Sequence, residues 1–254
     1  MTVSGDEGFA ESLQAGLFSH LLELRSRLIK ALATVLLVLV ALVPIANWLY
    51  SLLAAPLAAR LPHGAHLIAT EVTSPFLTPL KLAFYVALFT SMPMILYQLW
   101  AFVSPGLYSK EKRLARPLLV AALALFYLGC AFAYFLVLPA AFRFLTAMTP
   151  GGVEMMTDIN HYLDFVMLVF FAFGLCFEVP VAVVILAAAG VVDLARLRRS
   201  RRYVIVGAFA ISAVITPPDI TSMIMLAVPM YLLYELGVLA VRWLVAPQVA
   251  ETVG

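Results

Sequence analysis

Long apolar stretches separated by short polar segments are the dominant pattern of this chain. They predict helices at about 28–50, 80–103, 118–139, 163–190, 203–217 and 220–241. A helix needs roughly 20 apolar residues to cross a hydrocarbon layer about 30 Å thick, and most of these stretches reach that length. The runs are continuous and do not alternate with period two, which argues against a β-barrel. The pattern therefore predicts an all-α, polytopic membrane protein of six transmembrane helices.

The fifth and sixth helices are predicted to be short. Between Tyr203 and the break at Thr216-Pro217-Pro218-Asp219 lie about 14 residues, or roughly 21 Å of helix. This is less than the hydrocarbon thickness, so we expect the bilayer to thin there or the hairpin to end below the outer surface. The two prolines favour a tight turn, and Asp219 can cap the final helix.

The connections are too short to fold separately, so one domain is expected, without internal repeats. It comprises a polar tail at 1–16, a helical core at 17–245 and a short tail at 246–254. Within the core, 17–30 has leucines at helical spacing and is predicted to be an amphipathic helix at the membrane surface. The connection at 51–79 is rich in proline, and acids near 154–164 are expected to cap the fourth helix.

The positions of the charged residues along the chain predict how the helices are oriented in the membrane. The chain is 64% hydrophobic and 12% charged, with a mean hydropathy of +1.04, whereas soluble domains have about 25% charged residues. Of the 16 lysines and arginines, 13 lie near the N-terminus, in the second and fourth connections, or after the last helix. The positive-inside rule then predicts that both termini are cytoplasmic. Acids open the chain and its first apolar run is long, so a cleavable signal peptide is not expected.

Motifs for common enzyme chemistry are not recognisable. The sequence has no GxxxxGK[ST] loop, no HExxH and no GxSxG. No His/Cys cluster has metal-ligand spacing, and Cys130 and Cys176 both fall inside predicted spans. We therefore expect no enzyme, no cofactor, no metal and no nucleic-acid partner. A membrane receptor, a channel component or a transporter remains.

Three acids stand out against this background. Glu178 lies inside the fourth predicted span, where a charge costs about 2.5–3.5 kcal/mol or more, so it is protonated, paired or open to water. Pro180 next to it loosens the backbone and could help to present it. Glu111 is the one acid in a basic connection that follows Ser104-Pro105-Gly106. Glu23 precedes Arg27 by four residues, a spacing that also allows a purely structural ion pair.

Several stretches in order resemble the TatC family, the multispanning subunit of the twin-arginine protein translocase. They are HLLELRSRL at 20–28, IATE at 68–71 with SPF at 74–76, YQLWAF at 97–102, FG at 173–174 with FEVP at 177–180, and TPPD at 216–219. The resemblance covers about 17–242. It implies a cup-shaped protein of the bacterial cytoplasmic membrane, concave towards the bilayer, that binds twin-arginine signal peptides of folded cargo and uses the proton gradient.

The resemblance assigns signal-peptide contact to Glu23 and Glu111, which suits arginine because its planar guanidinium forms two-point hydrogen bonds with carboxylates. It gives Glu178 a place lining the cavity. The supporting positions are Arg25, Pro56, Phe102, Arg113 and Asp219. All but Arg113 also have a structural alternative, which is contact with a lipid phosphate or an acid for Arg25, a turn for Pro56, the aromatic belt for Phe102 and a helix cap for Asp219. The basic neighbours of Glu111, Arg113 among them, would repel an indiscriminate cationic ligand.

Partner subunits are implied as well. Single-span TatA/TatB-type subunits would dock along the fifth and sixth helices, where Thr216 fits a polar contact and Met223 replaces a polar residue. Self-association in a larger complex is also expected. Two rival functions stay open: a proton-coupled secondary transporter of a small solute that uses Glu178, and a purely structural scaffold. The chain shows no repeat and only a weak helix break at Pro180, unlike most such transporters.

Overall fold

The computed structural model describes residues 4–58, 67–103, 115–147, 157–215 and 220–244. This part of the chain is helical apart from turns and one two-residue parallel strand pair. The elements are α1 (Ser4–Leu42), a 3-10 turn (Val43–Ile45), α2 (Ala46–Ala58), β1 (Leu67–Ile68), α3 (Ser74–Thr90), α4 (Met92–Val103), α5 (Ala115–Phe132), a π turn (Ala133–Val137), α6 (Leu138–Ala147), β2 (Thr157–Asp158), α7 (Ile159–Phe177), α8 (Val179–Ala188), α9 (Leu194–Ile215) and α10 (Ile220–Leu244).

The all-helical architecture of the described residues confirms the fold class and is consistent with the six passes that the hydropathy pattern predicts. Segments long and apolar enough to cross a membrane are Leu21–Leu52, Arg116–Phe144, Ile159–Ala188 and Leu226–Leu244, and the bent pair α3–α4 adds a fifth. The predicted fifth pass corresponds to α9, which is not among these segments. It begins in an arginine-rich segment, so its apolar part starts only at Tyr203, in agreement with the predicted short fifth helix. α10 continues past its predicted end at 241.

The proline-rich first connection is shorter than the predicted 51–79. α2 runs through Pro56 to Ala58, so Pro56 is not in a turn, and α3 begins at Ser74, not at 80. Pro75 occupies the first turn of α3, where an N–H would have no helical partner in any case. The amphipathic segment 17–30 is also not a separate element, because α1 passes through it without a break.

A bend at Ser91 divides the second pass, which the sequence predicted as one helix. α3 and α4 differ in direction by 47°. Pro93 lies in the first turn of α4; it disfavours a helical conformation in the preceding residue and cannot donate to the carbonyl of Phe89. The hydroxyl of Tyr127 on α5 donates to that carbonyl at 2.9 Å, so the bend keeps its backbone satisfied.

Close helix contacts hold the passes together. On α5, a Cβ added to Gly129 would lie 2.6 Å from the backbone oxygen of Phe173 on α7. On α10, a Cβ at Gly237 would lie 2.9 Å from Cα of Pro180 on α8. Small residues that let backbones approach in this way are typical of helix packing in membranes. The buried core runs between these helices around Phe126 and Phe173.

A cluster of polar side chains links the start of α3 to the start of α7. Asp158 caps α7 by accepting hydrogen bonds from the N–H groups of Asn160 and His161, as expected for an acid at this helix start. The side-chain amide of Asn160 donates to the hydroxyl of Ser74 at 2.6 Å, and Asn160 Oδ1 accepts from Thr78 at 2.5 Å. Ser74 and Thr78 are fully buried, so α3 and the start of α7 are tied by satisfied polar groups.

Candidate functional site

Glu23 lies on α1 and forms the intrahelical ion pair that its spacing from Arg27 predicts. Arg27 donates from Nε at 3.0 Å and from Nη2 at 2.5 Å, and both hydrogen bonds go to Oε1 of Glu23. Oε2 accepts no hydrogen bond from the residues that the structure describes. The side chain of Glu23 retains 36% of its exposure. One oxygen of the carboxylate is therefore bound by Arg27, and the other is accessible to a ligand.

An exposed apolar stripe runs along another face of α1. Leu21, Leu24, Leu28 and Leu32 follow one another at intervals of three or four residues and are 42–66% exposed. Residues at such intervals share one face of a helix. Arg25 is exposed on the same helix and forms no ion pair with another described residue. Glu23 stands two residues after Leu21 and one before Leu24, so it lies off this stripe, on the side of α1 that also carries Arg27.

Other predicted positions are only partly described. Phe102 lies in the last turn of α4 and is half-buried, while Trp100 beside it is buried. Met223 is half-buried on α10, near the start of that helix. Outside the described residues lie Glu111, Arg113, Thr216 and Asp219.

Glu178 occupies the junction between α7 and α8. α7 ends at Phe177 and α8 begins at Val179, so the helix is interrupted at the acid, as Pro180 suggested. Oε1 of Glu178 is buried and has no hydrogen-bond partner within the described part of the chain. A buried carboxyl oxygen without a hydrogen-bond partner costs free energy. A proton on the carboxyl group, a bound cation or a water molecule at Oε1 would reduce this cost.

Glu235 on α10 belongs to a polar cluster between two helices. Its Oε2 accepts a hydrogen bond from Arg201 on α9 at 2.7 Å, and Tyr231 donates to Oε1 at 2.8 Å. Sequence reasoning missed this cluster because Arg201 and Glu235 come from different helices. The four-residue spacing of Tyr231 and Glu235 is a local pattern from which their hydrogen bond could have been predicted.

Comparison with known proteins decides the family. The sequence model described as "TatC: Sec-independent protein translocase protein (TatC)" matches residues 19–229. The chain belongs to the TatC family. TatC of Azotobacter chroococcum mcd 1 is 56% identical to it over 222 residues, 87% of each chain. TatC of Escherichia coli (strain K12) is 52% identical over 229 residues, 90% of this chain and 89% of the relative.

Solved TatC structures share the fold. A crystal structure described as "Twin Arginine Translocase Receptor- TatC" is 37% identical, with a TM-score of 0.75 over 88% of this chain and 98% of that chain. A second, obtained in DDM, is 36% identical, with a TM-score of 0.77 over 87% and 98%. The six-helix, cup-shaped architecture expected from the sequence is consistent with this likeness.

TatC-family membership defines the general role. The chain is a multi-pass membrane protein and a subunit of a Sec-independent (Tat) protein translocase, which works in a complex with other Tat components. This is a transport family and not a known enzyme family.

Proposed function

We propose that this TatC-family chain is the receptor for twin-arginine signal peptides and the core subunit of a translocase that exports folded proteins. The observation that carries the proposal is the half-occupied, partly exposed carboxylate of Glu23 on α1, a helix that also presents an exposed leucine stripe on another face. A signal peptide offers the complementary features, because its arginines come next to an apolar segment. The solved structures at 36–37% identity are themselves described as a twin-arginine translocase receptor.

Glu23 and Glu111 would each take one arginine of the pair. A guanidinium forms a planar two-point contact with a carboxylate that an ammonium group cannot reproduce. Glu111 follows the end of α4, and α4 packs against α1. The apolar segment of the peptide would then lie against the helix surface, with Arg25, Pro56, Phe102, Arg113 and Asp219 in supporting roles.

The orientation and the partners belong to the same proposal. With both termini cytoplasmic in the bacterial inner membrane, Glu23 and the arginine-rich start of α9 lie on the cytoplasmic side. Single-span TatA/TatB-type subunits would dock on α9 and α10 near Met223 and Thr216. Exposed apolar side chains such as Val214 (82%) support a helix-binding face there. The proton gradient would drive transport, and the subunit would self-associate in a larger complex.

Binding of a synthetic signal peptide tests the receptor role. The purified protein is titrated with an Arg-Arg peptide and with its Lys-Lys counterpart, as wild type, Glu23→Gln and Glu111→Gln. We expect Arg-Arg to bind more tightly and each substitution to reduce the difference. Glu71→Gln, which changes an exposed acid in the first connection, is the matched control and is expected to bind as wild type. Equal binding of both peptides to all four proteins would contradict the proposal.

A proton-coupled transporter is the second candidate, favoured by the partnerless Oε1 of Glu178. An acid that loses and regains a proton inside the membrane is a recurrent coupling device. Solute uptake into proteoliposomes under an imposed pH gradient tests it. Uptake that Glu178→Gln abolishes, in a protein that does not distinguish the two peptides, would favour this candidate over the receptor.

A further inference from the structure

A groove between α9 and α10 has a charged rim and an apolar wall. It encloses about 440 Å³ at the arginine-rich ends of the two helices. Three arginines and one acid line it: Arg198, Arg201, Arg242 and Glu235. Leu194, Leu236 and other aliphatic side chains form most of the remaining wall. None of these residues takes part in the proposed signal-peptide contact.

The acid in the groove is fully engaged. Oε2 of Glu235 accepts from Arg201, and Oε1 accepts from Tyr231. Arg198 and Arg242 form no ion pair with another residue in the described ranges, and both are exposed. The groove therefore keeps a net charge of +2 that its own acid does not neutralise. Two guanidinium groups at the mouth of one groove are suited to binding a phosphate, because each can donate a pair of N–H hydrogen bonds to its oxygens.

The apolar wall distinguishes a lipid from a soluble anion. Leu232, Leu236 and Leu239 recur at intervals of three or four residues on α10 and are 49–56% exposed, and Arg242 continues that face in the last turn. Along this face of α10, three leucines are thus followed by an arginine near the end of the helix. This order matches the boundary between the acyl chains and the headgroup of a bilayer, where arginine interacts with anionic lipid.

We propose that this arginine-rimmed groove binds an anionic phospholipid, with Arg198 and Arg242 on the phosphate and the α10 leucines along an acyl chain. Arg201 is held by Glu235 and shapes the rim. The proposal does not depend on the receptor role, because it concerns a different surface and a different ligand.

Lipid titration followed by native mass spectrometry tests the proposal. The purified protein is titrated with phosphatidylglycerol and with phosphatidylcholine of the same acyl chains. We expect the first phosphatidylglycerol to bind roughly tenfold more tightly, and the double variant Arg198→Gln/Arg242→Gln to reduce this preference to about twofold or less. The matched control Arg199→Gln/Arg202→Gln removes the same charge from residues that do not line the groove, and is expected to keep the preference.

Several results would overturn the proposal. One is a wild-type protein without lipid preference, and another is an equal loss in the control variant, which would indicate diffuse attraction. Full competition by inorganic phosphate would assign the groove to a soluble anion. An unchanged lipid preference in Arg198→Gln/Arg242→Gln, together with release of another translocase subunit, would assign it to a protein partner. Thermal melting of both double variants verifies that they remain folded.

Discussion

Tyr127 on α5 donates a hydrogen bond of 2.9 Å to the backbone carbonyl of Phe89 on α3. In a continuous helix that carbonyl would accept from the N–H of residue 93, but Pro93 has no N–H to offer. In an apolar environment an unsatisfied carbonyl is costly, so bent helices there need a donor from a neighbour. The 47° bend of the second pass is therefore maintained from a different helix.

Tyr127→Phe is expected to lower the free energy of unfolding by about 0.5–1.5 kcal/mol, because it removes one hydrogen bond and little else. Thermal melting in detergent or nanodiscs measures the change. Tyr97→Phe is the control, since Tyr97 is 53% exposed on α4, and it should leave the melting temperature unchanged. Equal effects of the two substitutions would show that the bend does not depend on Tyr127.

Asp158→Asn is expected to lower the melting temperature by several degrees near neutral pH. The hydroxyl and the backbone N–H of Thr70 both donate to Oδ2 of Asp158, at 2.6 and 2.9 Å, and hold the pKa of this carboxyl well below its usual range. The stabilisation is complete above the ordinary pKa of about 3.9 and is lost as the pH falls towards the lower folded-state pKa.

Melting curves of wild type and Asp158→Asn between pH 8 and the acid limit check this dependence. The difference between the two proteins should be constant at neutral pH and shrink below about pH 4. A difference that persists unchanged into acid would mean that the charge of Asp158 is not the stabilising feature.

Gly129→Ala is expected to destabilise the protein by about 1–3 kcal/mol, the range for an overpacked core. The new methyl would meet the backbone oxygen of Phe173 at 2.6 Å, and α5 would have to move away from α7. Gly207→Ala on α9 is the matched control, because nothing lies within 4 Å of the added atom. Alanine is the better helix former, so the control should be neutral or slightly stabilising.

Arg27→Gln is expected to strengthen binding of an Arg-Arg signal peptide, by up to roughly fivefold, since an exposed ion pair contributes about 0–1 kcal/mol. The substitution releases Oε1 of Glu23 and leaves both carboxylate oxygens for the peptide. Peptide titration measures it beside Glu23→Gln, which should weaken binding. Weaker binding in both variants would mean that Glu23 and Arg27 act as one structural unit.

Glu178→Met is expected to raise the free energy of unfolding by about 1–3 kcal/mol and to abolish transport. It replaces a buried oxygen that lacks a partner with an apolar side chain of similar length. Melting and export of a reporter cargo measure the two effects separately. A more stable variant that still exports the cargo would assign Glu178 no role in transport.

The features that depend on near neighbours could be predicted from the sequence alone. Continuous apolar runs indicated six helical passes, a four-residue spacing predicted the Glu23–Arg27 pair, and an acid before an apolar run predicted the cap at Asp158. Helix formation and capping involve residues within about one turn, so the order of residues contains the necessary information.

Contacts between distant segments were decided by the tertiary structure. Thr70 meets Asp158, Tyr127 meets Phe89, and Arg201 meets Glu235. Pro56 lies inside α2 although prolines usually end a helix, whereas Pro93 accompanies the bend at Ser91, and local rules do not distinguish these two outcomes. Each of these depends on how helices rotate and slide against one another, and this follows from packing of whole faces rather than from spacing along one chain segment.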